Sequence, residues 1–111
     1  KTQENLIKLI KPGVECSFLH QKATELLTKM GYKTENKQGF IHSLGHGLGL
    51  DIHEAPLISK FNDQVLEPGQ VITIEPGLYY SDLGGVRLED VVLVTNSGFR
   101  VLSDYPKSFL I

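Results

Sequence analysis

The sequence of 111 residues contains one cysteine, no tryptophan and no long hydrophobic run. Because Cys16 is the single cysteine, an internal disulfide is excluded, which favours a reducing compartment and predicts a cytoplasmic protein. The apolar runs fall well short of the roughly 18 residues that a membrane helix needs. The polar start, residues 1–5, is not typical of a signal peptide. We therefore expect no membrane partner.

An excess of basic side chains is also missing. Eleven lysines and arginines stand against 13 aspartates and glutamates, which leaves a net charge of -2. Nucleic acid is therefore not expected as a partner, because binding to the phosphate backbone needs a basic patch. With 41% hydrophobic and 22% charged residues, the composition is that of an ordinary globular protein. We expect residues 1–111 to form a single domain.

Helices are predicted first along the chain and strands later. The apolar spacing of residues 6–10, followed by Lys11-Pro12-Gly13, indicates the end of an amphipathic helix. A second helix is predicted from about Ser17 to Met30, with Gly31 as its stop. Runs of β-branched or aromatic residues predict strands at 40–41, 71–74, 78–80 and 86–95, with turns at 67–69, 82–85 and 96–98. This order predicts an α+β fold with helices on one face of an antiparallel sheet.

Three of the four histidines lie within twelve residues, in the segment HSLGHGLGLDIHE at 42–54. The alternating glycines of this segment argue against a helix. On an extended path, His42 and His46 share a face with the apolar residues Leu44, Leu48, Leu50 and Ile52. The alternative is one histidine in the core and two on the surface.

Two glutamates occur in apolar strand segments. Glu75 follows the strand at 71–74, and Glu89 lies in the segment 86–94, where apolar residues at both parities indicate burial on both faces. A buried carboxylate requires a shifted pKa, an ion pair or a metal ion. Arg87 is two residues from Glu89, so a buried ion pair between them is the structural alternative to a metal.

His46, Glu75 and Glu89 together offer one nitrogen and two carboxylates, a donor set that suits a hydrolytic divalent metal site. Three ligands suffice for one catalytic zinc, whereas two metals would need further carboxylates. None of the remaining acidic residues of this half is predicted to be buried on the same face; those weighed are Asp51, Glu54, Asp63, Asp82 and Asp90.

At these residues the chain resembles the pita-bread metallopeptidases, which include prolidases, aminopeptidase P and, more distantly, methionine aminopeptidases. The motifs that carry the resemblance are HSLGHGLGLDIHEAP at 42–56, VITIEPGLYY at 71–80 and GVRLEDVVLVT at 85–95. The Arg-Leu-Glu-Asp form of the last motif favours the Xaa-Pro branch. The resemblance implies the carboxy-terminal half of a pita-bread catalytic domain, two helices packed on a curved antiparallel sheet, with a natural end near Ile111.

The resemblance also implies a metal centre. His46, Glu75 and Glu89 would be metal ligands, and Glu89 would bridge two divalent ions. Manganese or cobalt is expected, with zinc as the alternative. The family uses two further aspartates that lie upstream of the segment where this chain starts, and they are not in this sequence. We therefore expect the 111-residue chain alone to be inactive.

Roles outside the metal follow from the same resemblance. His42 and His53 would line the substrate site, where His53 would hydrogen-bond the developing oxyanion and Glu75 would handle the proton of the attacking water. Arg87 would support the metal-binding carboxylates without binding metal. His20 matches no site of the family and is expected on the surface of its helix.

The expected activity is hydrolysis of Xaa-Pro bonds in proline-containing peptides, as an Xaa-Pro dipeptidase or an aminopeptidase P that is a homodimer at full length. Two other functions remain open. A catalytically silent pita-bread module would bind peptides or proteins. A creatinase-like hydrolase would act without metal, although it would give Glu75 and Glu89 no reason to occupy apolar strands.

Overall fold

A computed structural model of the chain describes residues 1–107; the natural end expected near Ile111 lies outside them. The predicted order of helices first and strands later is confirmed. The elements are α1 (Thr2–Ile7), α2 (Cys16–Lys29), β1 (Gly45–Gly47), β2 (Glu54–Ile58), β3 (Val71–Ile74), β4 (Gly77–Tyr80), β5 (Gly84–Arg87), β6 (Asp90–Val94) and β7 (Phe99–Val101).

The strands form two antiparallel sheets. Five strands pair in the order β2-β1-β3-β6-β7, and β4 pairs with β5 in a two-stranded sheet. The chain between Val71 and Val94 is one long hairpin that enters both sheets, since β3 pairs with β6 and β4 with β5. Its turn follows Tyr80, where Gly84 adopts a φ of 106°, a conformation that glycine reaches at little cost.

Both helices bury an apolar stripe against the five-stranded sheet. Leu6 in α1 and Leu19 and Ala23 in α2 have no exposed surface, as expected for residues spaced three or four apart on one helix face. They pack with Ile72, Ile74, Val92 and Val94 from the facing strands. A sheet covered by helices on one face is the α+β arrangement that the sequence predicts.

The start of α2 is fixed by a loop rather than by its own cap residue. Glu15 precedes the helix and makes no side-chain capping bond. The first two helical N–H groups, of Cys16 and Ser17, donate instead to the carbonyls of Gln64 (2.9 Å) and Asn62 (2.8 Å). Since these N–H groups lack partners within the helix, the loop satisfies donors that a cap would otherwise serve. Residues 62–66 are therefore bound to α2.

Two strand predictions are wrong. Phe40 and Ile41 form no strand; Gly39 makes an isolated bridge to Tyr79, and the chain then bends. The predicted strand 86–95 is two strands, because the chain passes from the two-stranded to the five-stranded sheet at Leu88 and Glu89. Pro76 lies opposite this point and has no N–H to continue a regular ladder.

Neither helix in residues 1–107 combines the length and hydropathy required to cross a membrane.

Candidate metal centre

Glu75 and Glu89 face each other at the break in the long hairpin. The pairs on either side of the break, Ile74 with Asp90 and Gly77 with Arg87, keep one continuous register. That register sets Glu75 directly opposite Glu89. Two like charges at opposite positions of a hairpin repel each other unless a proton or a cation lies between them.

His46 approaches the two glutamates from the neighbouring strand β1. Its Nε2 lies 3.7 Å from Oε2 of Glu75, and one ligand atom from each of His46, Glu75 and Glu89 lies within 4.8 Å of the others. Its Nδ1 is 2.8 Å from the Gly47 carbonyl oxygen and can only donate there, which leaves the Nε2 lone pair free. The backbone N–H of His46 donates to Oγ1 of Thr73 at 3.1 Å. The imidazole is thus held in the tautomer and direction that a metal ligand needs.

The glycines beside His46 allow neighbouring strands to approach closely. A Cβ atom at Gly45 would overlap the carbonyl oxygen of Thr73, and one at Gly47 would overlap that of Ala55. Both glycines are buried in β1, which pairs with β2 on one side and β3 on the other. The glycine alternation seen in the sequence is therefore required by strand spacing at the site.

The electrostatics of the cluster suit a divalent cation. Partial desolvation raises the pKa of the Glu89 carboxyl above its ordinary value, the neighbouring Glu75 carboxyl raises it further, and His46 and Arg87 act in the opposite direction. Two carboxylates crowded in this way favour a positive charge between them. One imidazole nitrogen and two carboxylates are donors that zinc, manganese or cobalt accepts. The residues present therefore fit such an ion.

The other candidate histidines occupy different sides of this cluster. The His53 ring meets the His46 ring edge to face with centroids 4.6 Å apart, and it is exposed. His42 lies edge to face with Tyr79 at 5.5 Å. The Tyr79 hydroxyl accepts a hydrogen bond of 3.4 Å from Arg87. The structure thus brings His53 directly to the cluster, whereas His42 contacts Tyr79, the hydrogen-bond partner of Arg87.

Several details of the predicted burial are wrong. Glu89 is exposed in this chain, because it lies in the link between β5 and β6 and the segment 86–94 is not one strand buried on both faces. Arg87 forms no ion pair within residues 1–107; its described partner is Tyr79. The prediction that His42 and His46 share an apolar face is also wrong. Three of the four apolar residues assigned to that face are exposed: Leu48, Leu50 and Ile52.

His20 is not the surface residue that the sequence predicts. Its ring stacks on Phe40 with centroids 4.8 Å apart, and its Nε2 lies 3.3 Å from the His42 carbonyl oxygen. Burial lowers the pKa of His20, and the positive charge of nearby Lys60 lowers it further. The hydrogen bond to the His42 backbone acts in the opposite direction. His20 therefore helps to fix the chain at the start of the histidine segment.

Sequence reasoning also missed the residues that hold the cluster in place. Thr73 binds the backbone of His46, Tyr79 accepts from Arg87, and Gln3 bonds to the hairpin at its break. One signal was available for Gln3, which lies three and four residues before Leu6 and Ile7 and so occupies their apolar stripe. A polar residue on such a stripe requires buried hydrogen-bond partners.

Comparison with known proteins identifies the family and the fold of the chain. A sequence model of metallopeptidase family M24 matches residues 1–96. The chain is 44% identical over 110 residues to an Xaa-Pro dipeptidase of Pyrococcus furiosus, covering 99% of this chain and 30% of that protein. Its structure is similar to a prolidase from Pyrococcus furiosus, with a TM-score of 0.88 and 45% identity over 96% of this chain and 30% of the other.

An X-Pro aminopeptidase from Thermotoga maritima is similar as well, with a TM-score of 0.88 and 39% identity over 96% of this chain and 29% of the other. The chain thus spans about 30% of the length of the relatives it matches. These likenesses confirm the predicted fold, in which two helices pack on the antiparallel sheet of a pita-bread peptidase. The chain belongs to metallopeptidase family M24.

Proposed function

We propose that this chain is the carboxy-terminal part of the catalytic domain of a metal-dependent peptidase that hydrolyses Xaa-Pro bonds. The observation that carries the proposal is the convergence of His46, Glu75 and Glu89, whose donor atoms lie within 4.8 Å of one another. His46 comes from β1, and Glu75 and Glu89 come from the two sides of the break in the long hairpin. The family membership supports the same reaction class.

The proposed cofactor is a pair of divalent ions, manganese or cobalt, with zinc as the alternative. His46, Glu75 and Glu89 would hold these ions. The remaining ligands would be two aspartates from the part of the protein that precedes this chain. Bound divalent ions supply Lewis acidity and a water that is nucleophilic near neutral pH.

The protein side chains divide the remaining work. His53 is exposed beside His46 and can donate a hydrogen bond to the oxygen that gains negative charge as the peptide carbonyl is attacked. Glu75 is close enough to the same centre to take and return a proton. His42, held by its Nδ1 at 2.7 Å from the Ser43 carbonyl oxygen, would position the substrate.

Specificity for proline is the finer part of the proposal. The prolyl nitrogen carries no hydrogen, and its ring restricts the chain around it, so general aminopeptidases cleave this bond poorly. The relatives named as Xaa-Pro dipeptidase and X-Pro aminopeptidase support this substrate class. We further propose that the full-length protein is a cytoplasmic homodimer.

The test compares Xaa-Pro with Xaa-Ala peptides as substrates of the manganese-loaded full-length protein, with methionyl peptides included. We expect turnover of Xaa-Pro substrates and little of Xaa-Ala. A clear preference for Met-Ala would indicate a methionine aminopeptidase instead. Absence of turnover with any peptide, together with retained peptide binding, would favour a silent binding module.

A further inference from the structure

Gln3 connects helix α1 to the break in the long hairpin. It is the second residue of α1 and is only 2% exposed. A buried amide needs partners, because a buried donor or acceptor without one is costly. Leu6 and Ile7 follow on the same helix face and bury apolar side chains against the core, so α1 is a rigid support for this amide.

The amide of Gln3 binds both strands of the hairpin. Its Nε2 donates to the Ile74 carbonyl oxygen at 2.9 Å and to the Leu88 carbonyl oxygen at 3.2 Å. Both partners are acceptors, which requires the NH₂ group to face them. Its Oε1 is buried without a donor among residues 1–107, so the two donor bonds alone set the direction of the amide.

These two carbonyls belong to the residues immediately before Glu75 and Glu89. The bonds therefore fix the backbone from which each carboxylate projects. Peptide planarity limits the movement of a residue whose preceding carbonyl is held, because its Cα lies in the same peptide plane and only the φ rotation then sets the direction of its side chain. One side chain thus restrains both glutamates relative to each other.

The break in the hairpin explains why an external donor is needed. Pro76 and Leu88 face each other there, and the Leu88 N–H donates to the Pro76 carbonyl oxygen at 3.3 Å. In a regular antiparallel pair Pro76 would return a bond to the Leu88 carbonyl, but proline has no N–H. Gln3 supplies that missing donor.

We propose that Gln3 is a positioning residue for the metal centre and that its amide sets the spacing of Glu75 and Glu89. The proposal rests on the proposed role of these glutamates as metal ligands. A second, metal-independent consequence is that the backbone at 74–76 and 87–90 is restrained by Gln3 before any ion binds.

The variant that tests this is Gln3→Met in the full-length protein, which keeps the length of the side chain and removes both donors. Ile7→Val is the matched control, because it weakens packing of the same helix without contacting either carbonyl. Hydrogen exchange of the metal-free protein is measured first. We expect faster exchange at 74–75 and 87–90 in Gln3→Met and unchanged exchange there in Ile7→Val.

Manganese affinity by calorimetry and the visible spectrum of the cobalt form are measured next. Gln3→Met should bind manganese 10–100-fold more weakly and alter the cobalt spectrum, as is typical when a group that orients a metal ligand is lost. A merely structural role predicts lower melting temperatures for both variants and an unchanged affinity and spectrum. That result, or unchanged exchange at the two segments, would overturn the proposal.

Two further variants distinguish a failure of the proposed function from a failure of the proposed role of Gln3. Glu89→Ala tests the ligand role itself; equal manganese binding by wild type and Glu89→Ala would contradict the proposed function, while the exchange data would still decide the role of Gln3. If Gln3→Met does not fold, Gln3→Asn replaces it. Its shorter amide cannot reach both carbonyls, so it should give a smaller change in the same direction, and wild-type behaviour would overturn the proposal.

Discussion

At the scale of single residues, the cluster depends on neighbouring glycines as much as on the proposed ligands. His46 reaches Glu75 because glycines precede and follow it in β1, where a side chain would overlap backbone of the neighbouring strands. The sequence makes His46, Glu75 and Glu89 identifiable, since their residue types and spacing are unusual. Thr73 could not be found in the same way, because a single buried hydrogen bond leaves no periodic signal, whereas Gln3 is marked only by its place on the apolar stripe of α1.

Gly45→Ala tests whether the close approach of β1 to its neighbouring strands requires glycine. The added methyl group would overlap the Thr73 carbonyl, and backbone on both sides leaves little room to move. We expect a loss of about 3 kcal/mol in the free energy of unfolding, the upper part of the range for overpacking. Urea denaturation of the full-length protein measures it. Gly98→Ala is the control, since its Cβ would meet nothing within 4 Å, and equal stability of the two variants would contradict the prediction.

Glu89 and Arg87 should differ in what their loss does to the metal. Glu89→Ala removes a proposed bridging carboxylate and should strongly reduce metal occupancy. Arg87→Ala removes a hydrogen bond to Tyr79 and a positive charge near Glu89, so metal should remain while activity falls 10–100-fold. Metal analysis together with kinetics of the purified full-length variants separates the two effects. Unchanged occupancy in Glu89→Ala would rule out its assignment as a ligand.

At the scale of elements, the helix at 16–29, the strand at 71–74 and the turns were predictable because periodicity and turn residues are local signals. The break at Leu88 was not predicted. Apolar residues occupy both odd and even positions of 86–95, and this pattern does not distinguish one continuous strand from two strands in different sheets. The pairing of Glu75 with Glu89 was not predictable either. Both are seven residues from Asp82, the centre of the observed hairpin, whereas the predicted turn at 82–85 is centred between residues 83 and 84.

The packing of α2 on the start of the histidine segment should depend on pH. Burial holds the pKa of His20 below its ordinary value of about 6.5, whereas in the unfolded chain it is ordinary. Above pH 6.5 neither state binds the proton and His20 makes no pH-dependent contribution. As the pH falls below about 6.5, the unfolded state binds the proton more readily, and stability is lost until the folded-state pKa is passed.

We therefore expect the urea midpoint of the full-length protein to fall between pH 7.5 and pH 5.5, and to fall less in His20→Gln, which cannot titrate. The neighbouring groups that face His20, His42 and Lys60, are unchanged in the variant, so the difference between the two curves isolates His20. Parallel curves for wild type and His20→Gln would contradict the assignment.

At the scale of the whole molecule, the described cluster supplies one nitrogen and two carboxylates, and large apolar side chains are exposed near His53, which contacts His46. Ile52 and Phe61 are each 85% exposed, and Leu50 is fully exposed. An apolar surface of this kind next to a site is typical of an interface. In the proposed function, the remaining part of the catalytic domain covers it and brings the other ligands.

The 111-residue chain alone should consequently bind manganese weakly and show no peptidase activity. Each carboxylate absent from a dinuclear site removes both a negative charge and a coordination position, and both losses lower the affinity for a hard divalent ion. Calorimetric titration of the 111-residue chain, after circular dichroism has shown it to be folded, is compared with titration of the full-length protein. We expect two tight sites in the full-length protein only. Two tight manganese sites in the 111-residue chain would show that the described residues complete the centre by themselves, and the proposed contribution of upstream aspartates would then be wrong.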